Sequence, residues 1–117
     1  MSTTVSLNAP QTTLTSFIGA DHQFVCTESA ATVMTGWALS FRLKRHASDA
    51  DADALLTLTT PTAVSISGAV ATINVADTDT DGIAPGTVQW ELKRTDANAE
   101  TVLGYGPYRL VRGLHHT

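Results

Sequence analysis

The sequence predicts a single all-β domain, an antiparallel sandwich of about seven to eight short strands. Three observations carry that prediction. Two stretches alternate apolar and polar residues with period two: Trp37, Leu39, Phe41 and Leu43 against Ala38, Ser40, Arg42 and Lys44, then Val88, Trp90 and Leu92 against Gln89, Glu91 and Lys93. Such alternation builds a strand with one buried and one solvated face. Turn formers recur between short apolar runs, and no long helical pattern intervenes. Thr, Ser, Ala and Val dominate while Glu, Lys, Gln and Met are scarce, a bias toward pleated, half-buried surfaces.

The elements follow in order. Residues 1–15 are Thr-rich with a proline at position 10 and read as an extended N-terminal arm, with an edge strand around Leu14 to Ile18. Gly19-Ala20-Asp21 is a turn signal, and Gln23 to Thr27 makes a strand with Phe24 and Cys26 on one face. Ala30 to Met34 reads as a loop or short strand. The alternating strand Trp37 to Lys44 comes next, followed by Ser48 to Asp53, too charged for the core. Leu55 to Thr60 is a strand stopped by Pro61, which cannot donate to a central ladder. Val64 to Ser67 and Ala69 to Val75 form a hairpin folded at Ser67-Gly68. Asp77 to Gly86 is a polar connection into the second alternating strand, Thr87 to Arg94. A turn at Asp96-Ala97-Asn98 leads to the last strand, from Glu100 past Pro107 to Val111. The sandwich therefore spans residues 16–113, and 114–117 read as a frayed tail.

Composition narrows the class. A chain of 117 residues suits one domain, and at that size one core forms without staples. Hydrophobic residues make up 43% and charged residues 15%, so the chain reads as neither disordered nor membrane-spanning. Residues 1–7 carry no basic flank and no apolar block, so they do not read as a secretory signal. The single cysteine, Cys26, excludes an intramolecular disulfide and reads as a buried structural thiol, compatible with assembly in a reducing cytoplasm. A net charge of −4 argues against a general nucleic-acid binder.

From Gly19 to Gly106 the order of features resembles the small immunoglobulin-like (Ig-like) domains of tailed-phage virion proteins, including the N-terminal domain of some baseplate proteins. The resembling pieces are Ala20-Asp21 before an apolar strand, Thr35-Gly36-Trp37 opening Trp-Ala-Leu-Ser-Phe-Arg-Leu, and the run Val64 to Val75. An Asp/Thr-rich turn then enters Ala84-Pro-Gly-Thr-Val-Gln-Trp-Glu-Leu-Lys-Arg-Thr-Asp, and Val102-Leu-Gly-Tyr-Gly closes the series. Such domains often carry Tyr just after the Pro-Gly-Thr turn, where this chain has Val88. The resemblance implies an Ig-like antiparallel β-sandwich and a structural role in a virion.

Candidate chemistry is sparse. Asp77-Thr-Asp79-Thr-Asp81-Gly82 reproduces the first half of a calcium loop, with carboxylates at alternate positions before a glycine. Its twelfth position is Val88 instead of a bidentate Glu, and its flanks read as strands, so a polar turn with Asp and Thr capping backbone groups is the preferred reading. Asp49, Asp51 and Asp53 lack a Gly pivot. His22, His46, His115 and His116 show no metal-ligand spacing, and His22 and His46 read as strand-end surface residues. No serine sits in a Gly-x-Ser-x-Gly elbow, and Gly104-Tyr105-Gly106-Pro107 lacks the Lys and helix of a phosphate loop. No catalytic residue, cofactor or metal is assigned, and an enzyme is not expected. Trp37 and Trp90 read as core fillers, while Tyr105 and Tyr108 either pack or contact a neighbour.

Charge placement points to an interaction face. All seven Lys and Arg residues (Arg42, Lys44, Arg45, Lys93, Arg94, Arg109, Arg112) fall in or beside the two alternating strands and the last one. In an Ig-like sandwich these strands share a sheet. Arg42, Lys44, Lys93, Arg109, Tyr105 and Tyr108 are therefore the candidate interaction residues. The expected role is a virion structural module of the tail, baseplate or fibre region, with head decoration as the close variant. Its partners would be other virion proteins and copies of itself in a repeated assembly, with no nucleic acid and no membrane. A carbohydrate- or surface-binding module and a calcium-stabilised adhesion domain are the alternatives.

Overall fold

Apolar side chains at every second position sort the chain into two sheets. A computed structural model describes residues 2–7, 11–28, 33–46, 48–50 and 53–112. In chain order its elements are β1 (Ser2–Leu7), β2 (Leu14–Phe17), β3 (His22–Glu28), β4 (Leu39–Lys44), β5 (Leu56–Thr59), β6 (Val64–Ser67), β7 (Val70–Val75), α1 (Asp77–Thr80), β8 (Gly86–Arg94) and β9 (Thr101–Val111). One sheet has the order β1-β3-β7-β6 and the other β2-β9-β8-β4-β5. No helix among the described residues is long and apolar enough to cross a membrane.

The core lies between the inner faces. Phe24 and Ile73 from the four-stranded sheet meet Phe41, Trp90 and Tyr108 from the five-stranded one, all nearly or fully buried. Phe24 stands edge-on to Tyr108 at 5.7 Å between centroids, and Phe41 stacks on Trp90 at 6.0 Å. Each ring contributes about 1.5–3 kcal/mol of transfer free energy, with a further increment for offset and edge-to-face geometry.

Strands β3, β4, β8 and the β6–β7 hairpin lie within a residue or two of their predicted bounds. Several expectations are corrected. Residues 2–7 are no separate arm: they form β1, and Val5 and Leu7 are buried in the core. The sandwich therefore includes residues 2–7 as a strand of its four-stranded sheet. The Thr-rich composition hid a period-two pair, Val5 and Leu7, whose side chains enter the core. The sandwich is also not wholly antiparallel, since β1 pairs parallel with β3 and β2 parallel with β9.

Trp37 precedes β4 instead of opening it, and is only half-buried. The Arg94 guanidinium lies 4.1 Å above its ring and also donates from Nε to Asp96 Oδ2 at 2.8 Å. Within the polar connection, residues 77–80 form one helical turn. The tail at 114–117, His115, His116, Pro10, Asp51 and most of the loop at 30–34 lie outside the described residues.

Candidate interaction face

Neighbouring strands put the predicted cations together. β4, β8 and β9 are adjacent, and their registers align Arg42 with Glu91 and Tyr105, Lys44 with Gln89 and Pro107, and Ser40 with Lys93 and Val102. A fourth row runs Thr87–Arg109–Thr15 into β2. These positions alternate with the buried Phe41, Leu43, Val88, Trp90, Leu92 and Tyr108, so they share the outer face of the five-stranded sheet. Arg42, Lys44, Lys93, Arg109 and Tyr105 thus stand on one surface.

A bulge sets the aromatic's orientation. The register shifts between Leu92 and Lys93, so that Leu103 and Gly104 are buried in succession and Tyr105 faces outward. Tyr105 is 50% exposed and Val102 45%, giving the face apolar content among its charges. Phe17, 39% exposed, extends it at the β2 edge. A shallow cavity of about 100 Å³ is lined by Arg42, Lys44, Gln89, Glu91, Tyr105 and the Trp90–Gly106 pair. The one acid among the rows is Glu91. Lys93 pairs with the exposed Glu100 at 3.6 Å, a surface contact of small energetic weight.

Tyr108 does not belong to the face. It lies three residues beyond Tyr105, and three steps along a strand reach the opposite side. Its phenol is buried, with Ser16 Oγ at 2.6 Å, and burial pushes its pKa up. Ser40 has outward parity yet is buried, and its Oγ has no partner among the described residues.

The remaining candidates are placed elsewhere. Asp79 Oδ2 accepts from the Ala76 amide and Asp77 Oδ1 from the Thr78 amide, each at 2.8 Å. The Asp77 amide donates to Asp21 Oδ1 at 2.8 Å, and the buried Thr80 hydroxyl accepts from the Gly19 amide at 3.0 Å. Asp77, Asp79 and Asp81 thus ring one helical turn, and no group of three His, Cys, Asp or Glu side chains placed to hold a metal occurs among the described residues. Asp49 Oδ2 accepts from the His46 amide.

His22 is buried, contrary to its reading as a surface residue, with Nε2 2.8 Å from Thr3 Oγ1 and its ring 4.4 Å from Phe24. Desolvation, then the positive N-terminus, lowers its pKa. Burial pushes the Cys26 thiol up to about 12, which leaves it a poor nucleophile.

Sequence reasoning missed what holds the rim of the face. The Trp90 indole Nε1 donates to the Thr12 carbonyl at 2.8 Å, and the Thr12 amide donates to the Tyr105 carbonyl at 3.1 Å. The indole passes beside Gly104, where an added Cβ would fall 3.1 Å or less from two ring carbons. Two glycines at alternate positions of an apolar strand were the available signal, because they mark a close approach to the backbone.

No protein-family model and no curated protein matches the chain. Among the solved structures that match is the N-terminal domain of phage TP901-1 ORF48. The likeness has a TM-score of 0.52 at 8% identity and covers 95% of this chain and 97% of that one. At that identity it shows a shared fold.

Proposed function

We propose that this chain is a non-enzymatic structural domain of a bacteriophage virion, a packing and attachment module of the tail, baseplate or fibre region, with head decoration as the close variant. The observation that carries the reading is the end-to-end likeness to a phage N-terminal domain, 95% of one chain against 97% of the other. An Ig-like character belongs to the same proposal: β4, β8 and β9 share one sheet opposite β3 and β7, and β2 lies parallel beside β9.

The outer face of the five-stranded sheet is the proposed contact surface with other virion proteins and copies of the chain. Arg42, Lys44, Lys93 and Arg109 would orient an acidic partner, and Tyr105 would anchor it. A carbohydrate-binding reading is less favoured. The cavity beside Tyr105 holds about 100 Å³, well below the roughly 300–1,000 Å³ of small-molecule sites.

Gold-labelled antibody against the domain, applied to particles produced from the genome that encodes it, tests the reading. Label at a fixed position on the particle supports it. Signal confined to the soluble lysate, with bare particles, overturns it.

A further inference from the structure

Strand β1 is held differently from the strands around it. It lies at the edge of its sheet and pairs with β3, from Ser2 opposite Gln23 to Leu7 opposite Glu28. That pairing is parallel, which is slightly weaker per residue than an antiparallel ladder. Yet β1 fills part of the core, since Val5 and Leu7 are both buried. Thr3 adds a side-chain contact, Oγ1 to His22 Nε2 at 2.8 Å. Residues 8–13 alone carry the chain from β1 in one sheet to β2 in the other.

That connection is pinned at its far end. Thr12 is fixed by the Trp90 indole and by the Tyr105 carbonyl, and Gly106 leaves room for its carbonyl. β1 and Thr12 are therefore held by separate contacts, β1 by the β3 ladder and His22, Thr12 by β8 and β9. The partners named for β1, the β3 ladder and His22, come after Thr12 in sequence, so another copy of the chain offers them in identical form. Exchange of the strand between copies preserves these contacts, and exchanging an identical element is a low-cost route to association.

We infer that the groove beside β3 is a strand-acceptor site, and that β1 of a second copy fills it when copies assemble. The inference draws on the proposed assembly role only for the reason copies meet, and its test needs no particle.

Val5 stands in register with the native Cys26. Adjacent strands lie roughly 4.7–4.9 Å apart, within the Cα separation that a disulfide spans. The purified full chain carrying Val5→Cys is refolded and oxidised at low and at high protein concentration. Non-reducing gels and peptide mapping then show which chains the bond joins. Exchange predicts a covalent dimer linked Cys26 to position 5 of the other chain, its fraction growing with concentration. A bond found only within single chains, or no bond at any concentration, overturns the inference. The wild-type chain supplies a second reading by light scattering. Refolding at high concentration should give a dimer that persists on dilution, and a monomer under all conditions contradicts the exchange.

Discussion

Trp90 donates from its indole Nε1 to the backbone carbonyl of Thr12 at 2.8 Å, joining the middle of β8 to the connection between β1 and β2. Residue 106 lies opposite Trp90 in the ladder and has to be glycine for this to happen. A Cβ at Gly106 would collide with the Thr12 carbonyl, and its φ of 149° lies where side chains are strained. Gly106→Ala should therefore destabilise by at least about 1–3 kcal/mol, the cost of a strained backbone alone. Gly82→Ala, with nothing within 4 Å of the added carbon, should stay within about 0.5 kcal/mol of wild type. Urea unfolding of both variants checks the contrast, and equal stabilities would contradict it.

Tyr108 and Ser16 form a second long-range tie, oxygen to oxygen at 2.6 Å in the core. Tyr108→Phe leaves the buried Ser16 hydroxyl without its partner and should cost about 1–3 kcal/mol. Adding Ser16→Ala should cost less than the sum of the two single changes, the mark of a direct interaction. Tyr105→Phe, at a half-exposed position, should leave stability unchanged.

The two tryptophans should separate sharply. Trp90 is 2% exposed and packs on Phe41, so Trp90→Ala should cost about 3–5 kcal/mol. Trp37 is half-buried outside any strand, and its cation–π contact with Arg94 is worth about 0.5–1 kcal/mol. Trp37→Ala should therefore cost no more than about 2 kcal/mol. Thermal melting of the pair decides the point.

What was legible in the sequence follows from where local pattern and tertiary environment agree. β4 and β8 each carry three or more alternations, and both sheet neighbours and both faces obey them. The shared face of Arg42, Lys44, Lys93 and Arg109 followed from that alternation plus strand adjacency. Trp37 failed because alternation does not say where a strand starts. β1 failed because two apolar residues among threonines and serines look solvated until a neighbouring sheet supplies the groove. Tyr105 and Tyr108 lie three residues apart, so only one of them could face outward, and the bulge at Leu103 resets the parity that would have told which.

His22 makes the stability of the β1 edge depend on pH. Its folded pKa is lowered, chiefly by desolvation, below the ordinary 6.5. Between those two values the unfolded chain binds more protons than the folded one, so stability rises with pH. The contribution is complete above 6.5, is lost as pH falls toward the folded value, and is level below it. Melting temperature should drop between about pH 7.5 and about pH 5, and His22→Gln should flatten that portion of the curve. A His22→Gln profile parallel to wild type would contradict the assignment.

The central claim is that the outer face of the five-stranded sheet docks this domain into a virion. The most direct measurement compares particles assembled with wild-type protein and with Arg42→Glu/Lys93→Glu, quantifying the chain in purified virions by mass spectrometry. Both substitutions lie on the outer face, so melting should confirm that the variant folds. The wild-type chain should be present in fixed proportion to other virion proteins, and the folded variant should be absent or strongly depleted. Equal incorporation of both proteins, or absence of the wild-type chain from purified particles, would contradict the account.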